Sequence, residues 1–86
     1  MEPERIVFPT DYPIKVVARA SEDLRARLDA VFTRHFGKFE AGRVSVRASA
    51  QSNFVSLTYL MRVEAEAQLS GLHSDLRAEN GVMLVL

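Results

Sequence analysis

The sequence predicts an α+β sandwich: a four-stranded antiparallel sheet in spatial order 4-1-3-2 with two helices on one face. Three observations predict it. The run from Asn53 to Val63 alternates Val55, Leu57, Tyr59, Met61 and Val63 with Ser56, Thr58, Leu60 and Arg62. Successive strand side chains point to opposite faces, so one side of this run can carry helices while the other is mostly polar. Two stretches with helical apolar stripes alternate with three further β-type runs, giving the order β-α-β-β-α-β. Helical crossovers between parallel strands are right-handed, which places the first and third strands at the centre.

Residues 1–11 contain Pro3 and Pro9 and no usable periodicity. They are expected to form a flexible N-terminal arm that becomes ordered near Phe8, which tucks against the core, ahead of a single domain over 12–86. Strand one runs from Tyr12 to Arg19, with Ile14, Val16 and Ala18 inward and Lys15, Val17 and Arg19 outward. Pro13 is tolerable so early in a strand. Ser21 is the expected N-cap of helix one, with Glu22 and Asp23 at the positive end of its dipole. Leu24, Leu28, Val31, Phe32 and His35 or Phe36 make its apolar stripe, Arg25, Arg27, Asp29 and Arg34 face mostly outward, and Gly37 closes it as a left-handed cap.

Strand two is read from Arg43 to Ala50, and Gln51, Ser52 and Asn53 turn into the central strand. Helix two is read from about Ala65 to Glu79, with Ala65, Leu69, Leu72 and Leu76 on one stripe and no Ser, Thr, Asp or Asn to cap its start. Gly71 inside it suggests a close approach of helix to sheet. Asn80 and Gly81 end it, and Val82 to Leu86 form the last strand. The helices are then expected to cover Ile14, Val16, Val44, Val46, Leu57, Tyr59, Met61, Val82 and Leu84, a core that needs no metal or cofactor.

Eleven acidic and eleven basic residues cancel, which removes the net-charge argument for nucleic acid or an anionic membrane. The chain has no cysteine, so it offers no disulfide, thiolate metal site or thiol nucleophile, in keeping with a cytoplasmic location. The acidic start, Met1 to Arg5, lacks the apolar run of a signal peptide. No stretch is apolar enough for a membrane span. His35 and His73 fall on different helices without metal-ligand spacing, and no glycine-rich loop or nucleophile elbow is present. Catalysis is therefore not expected.

The informative surface is the sheet face that the helices leave open. Its outward positions are Lys15, Val17 and Arg19 from strand one, and Arg43, Ser45 and Arg47 from strand two. Strand three adds Ser56, Thr58, Leu60 and Arg62, and strand four adds Met83 and Val85. Five bases and no acid are expected there, which suits an anion or an acidic partner, with the hydroxyls supplying hydrogen bonds. Arg43 and Arg47 would equally guard an edge strand against aggregation. Val17, Leu60, Met83 and Val85 add an apolar strip of the kind that marks partner surfaces. RNA-binding sheets stack bases on outward aromatics of the central strands. Here Tyr59 is expected to point inward, which argues against RNA.

Several motifs resemble the YbeD-like family of small bacterial proteins of unknown function. They are Phe8-Pro9-Thr10-x-Tyr12-Pro13-Ile14-Lys15-Val16, Asn53-Phe54-x-Ser56-Leu57-Thr58, Arg34-His35 near the end of helix one, and the ending Val82 to Leu86. The resemblance implies a ferredoxin-like fold similar to ACT regulatory domains, carries a lipoate-regulatory hint, and brings no catalytic residues. ACT domains typically bind small ligands near the first strand-to-helix loop, often beside a glycine. This chain has Ala20 there and no glycine between Tyr12 and Phe36, a departure from that pattern.

Two functions are carried forward. One is a non-enzymatic regulatory or protein-interaction domain working through Lys15, Val17, Arg19, Arg43, Arg47, Ser56, Thr58, Leu60 and Arg62, with a protein partner or a second copy of itself. The other is an ACT-like sensor of an anionic metabolite, an amino acid or a lipoate-related compound, held by Lys15, Arg19 and Arg62.

Overall fold

The computed structural model describes residues 7, 9–49, 51 and 53–86. Its elements are β1 (Thr10–Arg19), α1 (Leu24–Phe36), a 3-10 turn (Ala41–Arg43), β2 (Val44–Ala48), β3 (Phe54–Val63), α2 (Glu66–Ala78) and β4 (Val82–Val85). The sheet order is β2-β3-β1-β4 with every neighbouring pair antiparallel, which is the 4-1-3-2 arrangement read from the sequence.

The inner face follows from period-two alternation. Ile14, Val16 and Ala18 of β1 and Leu57, Tyr59, Met61 and Val63 of β3 are buried, as are Leu24, Leu28, Val31 and Phe32 of α1 and Leu72 and Leu76 of α2. Each large apolar side chain withdrawn from water this way contributes roughly 1.5–3 kcal/mol before entropy is charged. Tyr59 lies at the middle of the sheet, its ring stacked on Phe32 at 3.7 Å between centroids, with Phe39 edge-on at 5.8 Å.

Helix ends are where local sequence was least explicit. Helix α1 starts at Leu24, so Asp23 rather than Ser21 stands at the N-cap, without a side-chain cap bond. The Ser21 hydroxyl instead donates to Asp23 Oδ1 at 2.9 Å. That bond, helped by Arg27, holds the Asp23 carboxyl below its usual range. Gly37 ends α1 at φ +79° but with ψ −170°, so it leaves the helix through extended glycine space rather than as a left-handed helical cap. At the start of α2 the missing cap is replaced from inside the helix: Gln68 Oε1 accepts from the backbone N–H of Glu64 at 2.7 Å and of Ala65 at 3.3 Å. This is the glutamine half of a capping box.

Strand boundaries shift for reasons of pairing. β1 opens at Thr10, not Tyr12, because Thr10 and Asp11 find antiparallel partners in Val63 and Arg62. Two residues assigned to the arm thus belong to the sheet, while residues 1–6 and Phe8, with its expected contact to the core, lie outside the described residues. β2 is shorter than expected at its start, since Ala41–Arg43 coil into the 3-10 turn, and its last described ladder pair is Ala48–Val55; Ala50 and Ser52 lie outside the described residues. The hairpin to β3 is closed by the Ser49 N–H donating to Phe54 O at 2.9 Å.

Two expected core residues, Val46 and Leu84, are about half exposed, at 54% and 49%. The reasons differ. Val46 does face the helical side, opposite Leu57, but the helices lie over β3, β1 and β4 and leave β2 projecting beyond them. The result is an apolar groove of about 390 Å³ between β2 and the start of α1, lined by Leu24, Val46, Ala48, Val55 and Leu57 among others. Leu84 is turned over by a β-bulge. β1 pairs with β4 through Val16–Val85, Val17–Leu84 and Ala18–Val82, with a register shift between Val17 and Ala18. The extra residue on β4 breaks strict alternation, so Val82 and Val85 both pack against the core while Leu84 joins Val17 on the open face.

Gly71 meets a helix rather than the sheet. A β-carbon built there would stand 3.5 Å from His35 Cε1 on α1. The same His35 contacts Asp75 Oδ2 through Nε2 at 2.6 Å, so the two helices are tied through one imidazole. Arg27 makes a second tie, donating to Asn80 O at 2.9 Å and reaching Glu79 Oε1 at 3.4 Å.

Candidate interaction surface

Cross-strand partners share a face, so the register orders the open side into rows running from β2 to β4. The middle row is Ser45–Thr58–Lys15, and the next is Arg47–Ser56–Val17–Leu84. Beyond it Phe54 lies opposite Arg19. In the other direction Leu60 faces Pro13, and then Arg62 faces Asp11.

This map brings together part of the expected set. Lys15, Ser45, Arg47, Ser56 and Thr58 line one shallow depression of about 280 Å³. Among the described residues none of these five side chains makes a hydrogen bond or ion pair within the chain. Val17 and Leu60 flank the depression, and Leu84 extends the apolar strip in place of Val85. Phe54, 38% exposed, adds an aromatic edge beside Arg19.

Arg43, Arg19 and Arg62 lie outside this depression. Arg43 sits in the 3-10 turn, where it reaches Asp11 Oδ1 and the Leu60 carbonyl, both at 3.5 Å. Asp11 also lies opposite Arg62, so the face has an acid after all, confined to its far end because β1 begins earlier than its prolines suggest. Arg19 and Arg62 are eight residues apart measured along β1, about 26 Å at 3.3 Å per residue. Lys15, Arg19 and Arg62 therefore do not converge on one small anion.

Sequence reading missed two polar constellations on the helical side. The Tyr59 hydroxyl donates to Asp29 Oδ1 at 2.6 Å, and Arg25 Nε reaches both oxygens of the same carboxylate at 2.9 and 3.0 Å. Burial, together with this bond to a negative group, drives the Tyr59 hydroxyl far above its ordinary pKa. Asp29 thus has a partner beneath the helix as well as one along it, and only the spacing Arg25 to Asp29 was visible beforehand. The His35–Asp75 contact was hidden because its partners are 40 residues apart. A second cleft, about 340 Å³, opens between Phe36, Phe39, Leu60 and Met61, with Lys38, Glu40, Arg43 and Arg62 among its polar walls. No three histidine or carboxylate side chains gather as a metal site among the described residues, and no helix there is long and apolar enough to cross a membrane.

The family model described as a protein of unknown function, DUF493, matches residues 3–86. The chain belongs to the DUF493 family. Among its curated relatives, a UPF0250 protein of Ectopseudomonas mendocina is 36% identical over 87 residues, covering 100% of this chain and 95% of the relative. A second, from Pseudomonas paraeruginosa, is 34% identical over 87 residues, covering 100% and 94%. These are the YbeD-like proteins that the sequence motifs resembled. Two solved structures share the fold. The solution structure of protein HP0495 from H. pylori superposes with a TM-score of 0.73 at 15% identity, covering 99% of this chain and 89% of that one. The ACT domain from GTP pyrophosphokinase of Chlorobium tepidum gives a TM-score of 0.62 at 21% identity, covering 90% and 97%. At such identities the likeness is one of fold, and it places this member of DUF493 among ferredoxin-like, ACT-like domains.

Proposed function

We propose that this DUF493 protein is a cytoplasmic, non-enzymatic interaction or regulatory domain that docks an acidic protein surface on the open face of its sheet. The observation that carries the reading is the segregation of charge on that face. Lys15, Arg19 and Arg47 project there without internal acid partners among the described residues, beside the apolar strip of Val17, Leu60 and Leu84. The chain as a whole is neutral, so this local excess exists only because the acids are placed elsewhere. Desolvated apolar contact at the centre of an interface with charged groups around it is the usual anatomy of a protein-binding patch. Face-to-face pairing of two copies would bring like charges together, which favours a different, acidic partner.

The test compares capture of partners from cell extract by the wild-type protein and by Arg47→Glu and Leu60→Asp, each first shown by circular dichroism to be folded. Both substitutions are expected to lose the same acidic protein. Equal retention by both variants would overturn the reading.

The ACT-like fold supports a second reading, in which a small anionic metabolite such as an amino acid or lipoate-related compound is sensed. The donor-lined depression over Lys15 and Arg47 favours it over the original trio with Arg19 and Arg62. Ligand binding to the native state raises thermal stability. A thermal-shift screen with amino acids, lipoate and nucleotides should therefore yield a stabilising compound, and an empty screen at millimolar concentration counts against it.

A further inference from the structure

We infer that the depression between Lys15 and Arg47 is a site for a phosphate monoester. The inference rests on the reading of the open face as the interaction surface and names the chemical group that this surface takes. The depression is lined by Lys15, Ser45, Val46, Arg47, Ser56 and Thr58. The Val46 side chain faces the helical side; the other five side chains all carry hydrogen-bond donors, and none is an acid. They come from three adjacent strands in two consecutive rows, Ser45–Thr58–Lys15 and Arg47–Ser56. Strands lie about 4.8 Å apart and same-face neighbours along a strand about 7 Å apart, so the donors ring an area roughly 10 Å by 7 Å.

The choice of ligand follows from counting donors and charges. A carboxylate is planar, carries one negative charge and presents two oxygens. A phosphate monoester presents three acceptor oxygens in a tetrahedral spread and carries nearly two charges at neutral pH. Two cations and three hydroxyls fanning in from three strands match the second shape and charge better than the first. Arg47 supplies a planar fork able to hold two phosphate oxygens at once, and Lys15 supplies a compact point charge on the opposite side. These groups also have no internal competitor. Arg25, Arg27 and Arg43 are engaged with Asp29, Asp23 and Glu79, and Asp11 respectively, whereas the five lining donors bond to nothing else among the described residues. The Asp11 carboxylate is kept away by the intervening Leu60–Pro13 row.

The experiment is a nitrogen-15 amide NMR titration at constant ionic strength, with inorganic phosphate and O-phospho-L-serine as probes and acetate as the monoanionic control. The expected result is a saturable shift of the Ser45, Ser56 and Thr58 amides with both phosphates and none with acetate. Binding of O-phospho-L-serine should strengthen as pH rises past about 6, where the monoester dianion forms. Arg47→Ala or Lys15→Ala should weaken it about tenfold, the effect of losing one charge-assisted bond, while Arg34→Ala and Arg77→Ala, exposed on the two helices, leave it unchanged. A phosphoserine peptide and glycerol 3-phosphate separate a protein side chain from a small metabolite as the source of the group; tighter binding of either supports the site. Acetate binding as well as phosphate, or shifts that survive both Arg47→Ala and Lys15→Ala, would overturn it. So would the absence of any saturable shift at millimolar phosphate. In that last case, loss of the acidic partner on Arg47→Glu would still uphold the broader reading, so the two fail separately.

Discussion

The hydroxyl of Tyr59, at the centre of the sheet, donates a 2.6 Å hydrogen bond to Oδ1 of Asp29 on the first helix. A phenol in that position must lose its proton next to a carboxylate and out of water, so it keeps the proton to much higher pH than it would in the unfolded chain.

The consequence for stability has a definite sign. The unfolded tyrosine ionises near its ordinary pKa of about 10, whereas the folded one is shifted upward by burial and by Asp29. Above pH 10 the native state therefore binds more protons than the unfolded state. The contribution is complete below pH 10 and is lost as pH rises, by up to about 1.4 kcal/mol per pH unit. Urea melts between pH 8 and 11 should show this decline in the wild type and a shallower one in Tyr59→Phe. Equal slopes would exclude Tyr59 as its source.

Gly71→Ala is expected to stabilise the protein by about 0.5–1 kcal/mol, the usual gain on replacing glycine within a helix. The new methyl would meet His35 Cε1 at ordinary van der Waals distance, 3.5 Å. Gly71→Leu should instead separate the helices and lower the urea midpoint. A loss of stability in the alanine variant would mean that the His35–Asp75 tie tolerates no filling of the gap.

Gly81 has φ +90°, and its carbonyl accepts the Arg19 N–H at 2.9 Å. Gly81→Ala is expected to cost about 1–2 kcal/mol through left-handed backbone strain. Gly81→Asn, more tolerant of positive φ, should cost less; chemical denaturation of the pair measures the difference.

The bulge opposite Val17 and Ala18 predicts opposite outcomes for adjacent residues. Val85→Asp places a carboxylate against the core and should cost about 2 kcal/mol or more, while Leu84→Asp, on the open face, should stay within about 0.5 kcal/mol. Thermal melts of the two variants decide between this arrangement and strict alternation, which would reverse the ranking.

What was legible in the sequence was local. Alternation over Ile14–Ala18 and Val55–Val63, the Leu24–Phe32 stripe, and the glycines at 37 and 81 announce elements through interactions spanning a few residues, and the order of those elements constrains the topology. What escaped notice depends on pairing between distant segments. Nothing within Val82–Leu86 marks a bulge, because the extra residue exists only relative to β1. Asp11 looked like part of an arm because its partner, Arg62, is remote in sequence. The candidate face was legible at Lys15, Ser56 and Thr58 for the same reason that their strands were. Arg43 was misplaced because a short 3-10 turn leaves no periodic trace.

The projection of β2 beyond the helical layer has a kinetic corollary. Its amides are paired on one side only, to β3, and beyond Val44, which packs against the core, its apolar face has no helix above it, so separating it from the sheet removes few buried contacts. Local opening of this kind is governed by its own free energy rather than by global unfolding. Deuterium should therefore enter Val44–Ala48 long before the paired amides of Ile14–Ala18, making this hairpin the part of the sheet that is intermittently a three-stranded structure with a loose ribbon beside it.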